Sequence, residues 1–128
     1  MVELERLYAE VMVLVTAADG KLKEAEAREL VESFASDPLF QNVSPERAQD
    51  FVSESVSALA AEGLPQRLNV LAHGLTTHAQ RVKAYRLATK IAHAGGQAPS
   101  AGEQRLLHIL QATFGLADDE VARLDRQV

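Results

Sequence analysis

Asp19 and Glu26 flank a short turn and carry the oxygen donors from which this cysteine-free chain could build an ion site. Hard cations such as calcium or magnesium take carboxylate, carbonyl and water oxygens, with about 6–8 ligands for calcium. A residue at the end of one helix and a residue in the first turns of the next can converge when the turn folds back. Asp19 and Glu26 would then be primary ligands, with Glu24 and Glu103 as lesser ones. Two carboxylates do not fill a shell, so turn carbonyls, water or Glu103 would have to complete it. The same residues have an architectural reading, in which Asp19 accepts turn N–H groups and Glu26 sits where a helix dipole favours an acid. Both readings stand at this level. The Asp-rich spacing of an EF-hand is absent.

Other chemistry finds less support. The four histidines, His73, His78, His93 and His108, form neither an HExxH motif nor a four-apart pair that would put two imidazoles on one helix face. His93 stands just before a second turn, where it could meet Glu103 or a helix C-terminus and titrate near neutral pH, or simply pack. Serines lie in cap contexts or on helices, without the GxSxG elbow of a nucleophile. Gly95-Gly96 lacks the spacing and the lysine of a phosphate loop and follows a helix rather than a strand. Arg81, Lys83, Arg86 and Lys90 read as a solvated face before a binding face. The expectation is therefore not an enzyme; a hydrolase reading would require His93 beside Glu103 in a deep cleft.

The elements that must position these residues are all helical. Leu4, Leu7, Tyr8, Val11, Leu14, Val15 and Ala18 recur at three- and four-residue intervals and predict one broad apolar stripe, closed at Gly20. A second helix is expected from about Lys23 to Ser36, with Leu30, Val31 and Phe34 inward, broken by Asp37-Pro38. Ser44-Pro45 predicts a cap and first helical position for a helix burying Ala48, Phe51, Val52, Val56 and Leu59, ended by Gly63. Leu64-Pro65 opens another through Leu75. After a break at Thr76 to Ala79, a long helix runs from about Gln80 to Ala92. Ser100-Ala101-Gly102-Glu103 matches a capping box before Leu106, Leu107, Leu110 and Phe114. Asp118 can cap a last short helix carrying Val121 and Leu124. No segment alternates as a half-buried strand does.

At 128 residues the chain suits one domain, residues 1–128, able to bury roughly two thirds of its unfolded surface. Its net charge of −5 disfavours non-specific attraction to nucleic acid or anionic lipid. The apolar run Val11 to Ala18 is far shorter than the ~20 residues of a membrane span, and acidic residues precede it where a signal peptide would be basic. The expected protein is soluble and cytoplasmic. It would have no nucleic-acid partner and no direct membrane insertion, which leaves peripheral association open.

Ala17-Ala18-Asp19-Gly20-Lys21-Leu22, with Glu26 following, has a weaker counterpart in Ala92-His93-Ala94-Gly95-Gly96 through Glu103. The chain thus reads as an internal duplication of a helix, turn and helix unit in a compact bundle of about seven helices. The Ala-Asp-Gly turn, the apolar residue after it and the Glu on the next helix, together with this layout, resemble the TerB-like family associated with tellurite resistance. That resemblance covers nearly the whole chain. It implies a seven-helix bacterial domain linked to stress responses, with acidic turn residues that bind a divalent metal; a neighbouring helical surface is expected to engage a protein partner. Asp19 and Glu26 match the family's acidic pair. The second turn departs from the pattern, with glycine in place of Asp, and Lys23 stands where Ser or Thr commonly caps. A metal-free interaction module is the alternative.

Overall fold

The structure, a computed structural model, describes residues 4–20, 23–93 and 98–126. Among them are seven α-helices and no strand: α1 (Leu4–Thr16), α2 (Glu24–Ser36), α3 (Pro45–Glu62), α4 (Leu64–Gly74), α5 (His78–Ala92), α6 (Ala101–Phe114) and α7 (Asp118–Arg126), with a 3-10 turn at Pro38–Phe40 between α2 and α3. The expected all-α architecture is therefore present. No described helix is long and apolar enough to cross a membrane.

Local chemistry sets the helix starts. Ser44 accepts the Arg47 N–H at 3.1 Å, with Pro45 at the first helical position of α3. Thr77 accepts the Gln80 N–H at 3.1 Å while the Gln80 carboxamide oxygen takes the Thr77 N–H at 3.2 Å, so α5 begins two residues before the expected Gln80. Asp37 ends α2 and caps the 3-10 turn, accepting the Leu39 N–H at 2.9 Å. The turn brings Phe40 to 4.7 Å from Phe34, ring centre to ring centre.

α1 is the axis of the bundle and packs against α2, α3, α4, α5 and α6. All nine residues from Leu7 to Val15 are buried, so the single stripe expected for α1 is too narrow. Neighbours on every side leave this helix no solvent face. α1 also stops at Thr16, and the chain turns through Ala17 to Asp19 before Gly20, whose φ of +145° suits a residue without Cβ. On α3 the inward face includes Ser55, which is fully buried, whereas Val56 is 38% exposed.

Burying α1 encloses a charge. Glu10 has no exposed surface, and both its oxygens are held by Arg67 of α4, from Nη2 and Nε, at 2.7 Å each. Arg6 donates to Glu10 Oε1 at 3.1 Å and to Glu54 of α3 at 3.3 Å, and Arg67 also donates to Glu62 at 3.1 Å. Arg47 reaches Glu54 at 3.3 Å, which closes a run of three arginines and three glutamates across α1, α3 and α4. The Glu10 hydrogen bonds raise the Arg67 pKa above its usual range, against the lowering effect of burial.

Arg81 also differs from expectation. Its guanidinium turns inward and donates to the carbonyl oxygens of Leu75 and Ala72, each at 2.8 Å, satisfying orphan acceptors at the end of α4. It is not part of a surface strip; Lys83, Arg86 and Lys90 alone remain exposed there.

Candidate functional site

The two turns meet. α1 lies against α5 and α6, so Asp19, just past α1, comes to the start of α6, and its Oδ2 accepts the Ser100 hydroxyl at 2.7 Å. Ser100 meanwhile accepts the Glu103 N–H at 3.1 Å, and Glu103 Oε1 takes the Ser100 N–H at 2.8 Å, which is the capping box expected from the sequence. Asp19 thus sits at the N-terminus of α6, where the helix dipole favours a carboxylate. Contact is close enough to fix the next residue: a Cβ on Gly102 would strike Asp19 Oδ1 and come within 2.9 Å of the Ala18 carbonyl oxygen. Among the described residues the partner of the Asp19 carboxylate is thus a hydroxyl 81 residues away. Lys21 and Leu22 of the first turn, and Ala94 to Gln97 of the second, including Gly95-Gly96, lie outside the described residues.

Glu26 caps the first turn of its own helix by accepting the Lys23 N–H at 3.0 Å. Lys23 has no acceptor to return, so α2 carries half of the box that α6 completes. Glu26, Glu29 and Ser33 on one face of α2 then look across to Asp19, Thr16 and Glu103, and together they line a recess of about 180 Å³. Leu30 and Ile91 also line it. Three of the four sequence candidates, Asp19, Glu26 and Glu103, are thus brought together. Glu24 is not; its side chain is 91% exposed and lies 3.9 Å from Arg28 on the same helix. Glu29 was not singled out from the sequence, although it stands one turn beyond Glu26, within the three- to four-residue spacing that shares a face.

Donor chemistry in the recess is all oxygen, which suits a hard cation. Among the described residues no group of three His, Asp or Glu is arranged to hold an ion, and Asp19, Glu26 and Glu103 each accept a hydrogen bond. A volume of about 180 Å³ accommodates roughly six waters at ~30 Å³ apiece, so a cation that keeps its hydration shell fits better than a bare one.

His93 lies elsewhere. It is the C-cap of α5, its N–H on the Thr89 carbonyl at 3.0 Å, and it lines a separate cleft on the α6–α7 side while Glu103 lines the recess. The pairing of His93 with Glu103 that a hydrolase reading needs is absent. Comparison with protein-family models, curated proteins and solved structures gives no match.

Proposed function

We propose that this is a TerB-like, non-catalytic domain of the bacterial cytoplasm that acts in stress response by binding. In this reading the recess holds a hydrated divalent cation of the magnesium type, and an outer helical surface engages a protein partner. One observation carries it: four carboxylates, from the α1 turn, α2 and α6, line one small recess with room for a hydration shell. Magnesium keeps several waters and is held through one or two carboxylates, which these side chains supply without surrendering their caps. Asp19 and Glu29 are the residues assigned to it first, with Glu26 and Glu103 as supports.

The second reading, a metal-free interaction module, draws on the hydrogen bonds that Asp19, Glu26 and Glu103 already accept. Calorimetric titration of the chelator-stripped protein with magnesium, calcium, manganese and zinc separates the two. Glu29→Gln is the decisive variant, because Glu29 removes recess charge without touching a cap. Saturable binding to the native chain, weakened roughly tenfold in Glu29→Gln at unchanged helicity, supports the cation. No heat with any cation and an unchanged melting temperature leave the metal-free module.

A further inference from the structure

α7 packs on α5 through Val121 and Leu124 and leaves a cleft of about 420 Å³ between itself and α6. Its two walls are helical stripes with the same spacing. Gln104, Leu107, His108 and Gln111 come from α6, and Asp118, Val121, Ala122 and Asp125 come from α7. Positions i, i+3, i+4 and i+7 share a helix face, so each wall presents two turns of one helix. Gln111 pins the mouth by donating to the Leu116 carbonyl oxygen at 3.0 Å and to Asp118 Oδ1 at 2.7 Å.

Tyr85 of α5 also lines the cleft. The residue is 1% exposed, yet its hydroxyl has no hydrogen-bond partner among the described residues. Burial, and then the charge of Asp125, push its pKa up to about 12, so it is a protonated phenol at neutral pH and can both donate and accept. The hydroxyl opens on the cleft rather than being sealed in the core, so a ligand or water there can complete it.

The cleft's fixed charge is acidic, with the imidazoles of His93 and His108 also among its lining. No Lys or Arg is among its lining residues, and its carboxylates, Asp118 and Asp125, are both on α7. Seven residues of helix separate them by about 10 Å along one face, with Val121 and Ala122 between. We infer that this cleft binds a linear aliphatic polyamine, its terminal ammonium groups on Asp118 and Asp125, its methylene chain over Leu107 and Val121, and the Tyr85 hydroxyl on its backbone nitrogen. The site is separate from the acidic recess and does not depend on the cation reading.

Spermidine is the probe, titrated calorimetrically into the native chain at about 0.15 M salt, where diffuse surface attraction is largely screened. Saturable one-to-one binding is expected. Asp125→Asn, at an exposed position that folding does not need, should weaken it roughly 10- to 100-fold by removing a charge-assisted hydrogen bond. Tyr85→Phe keeps the ring and should weaken it roughly 3- to 10-fold. Asp119→Asn, which removes the same charge from a residue of α7 that does not line the cleft, should leave it within about twofold. A lysine side chain from a partner offers the same ammonium at one end only, so N-acetyl-lysine amide should bind far more weakly than spermidine. Absence of saturable binding, equal loss in Asp119→Asn and Asp125→Asn, or equal affinity for the lysine amide would each overturn the assignment.

Discussion

Two carboxylates on the same stretch of chain, Glu10 inside α1 and Asp19 just beyond its end, do opposite jobs. Glu10 is enclosed and held by two arginines; Asp19 lies at the surface and holds one serine hydroxyl. The charge on Glu10 cannot be returned to water without unpacking α1, so its partners fix how α4 and α3 sit on the axis. The charge on Asp19 is screened by solvent, and its bond joins the end of α1 to the start of α6 without stabilising the fold by more than a fraction of what Glu10 does. The position most open to chemistry is thus the one least tied to stability.

The largest effect expected from breaking this contrast is at Glu10. Glu10→Ala leaves the Arg67 guanidinium buried with only Glu62 to face, and should cost about 3–5 kcal/mol in urea denaturation. That is a large part of the ~5–15 kcal/mol of a typical domain. Replacing both partners, Glu10→Met with Arg67→Met, should cost less than either single change, because no uncompensated charge remains in the core. Should Glu10→Ala lose under ~1 kcal/mol, the pair would be behaving as a surface ion pair and the contrast with Asp19 would fail.

How much of this was legible in the sequence differs at the two carboxylates. Asp19, Glu26, Ser100 and Glu103 are short-range signals: turn residues and caps act over three or four positions, and each was placed at a helix end where it stands. The recess is a tertiary consequence, since the packing of α1 on α5 and α6 decides that Asp19 meets Ser100. Glu10 was missed because a stripe reading ignores a lone charge among apolar neighbours. A signal was present, in that a nine-residue stretch from Leu7 to Val15 is apolar on every side except at Glu10, which marks a central helix with an enclosed charge. Arg67, in the apolar spacing of Leu64, Leu68 and Leu71, was the matching signal on α4. Arg81 escaped for the same reason, because no local rule assigns an arginine to the carbonyls of a preceding helix.

A smaller effect tests the turn itself. In an ordinary exposed helix, glycine to alanine gains up to ~1 kcal/mol. Gly102→Ala should instead lose about 1–2 kcal/mol, since its Cβ would press on Asp19 and the Ala18 carbonyl and part the end of α1 from α6. The sign alone decides whether the turns are packed as closely as described. Thermal unfolding beside Asp19→Asn, which should cost less than ~1 kcal/mol as a loss of one exposed hydrogen bond, separates steric contact from the bond it accompanies.

The smallest effect is at a third buried polar group. Ser55 on α3 is fully buried like Glu10, but its hydroxyl has no partner among the described residues, whereas every oxygen of Glu10 has one. Burial therefore cannot be what makes Glu10 matter; satisfaction is. An unpartnered hydroxyl keeps its desolvation cost without return, and alanine also has the higher helix propensity, so Ser55→Ala should raise stability by roughly 0.5–1.5 kcal/mol, or a few degrees in melting temperature. A fall in melting temperature would mean that the hydroxyl bonds within the folded chain, and the distinction drawn between the two buried groups would not hold.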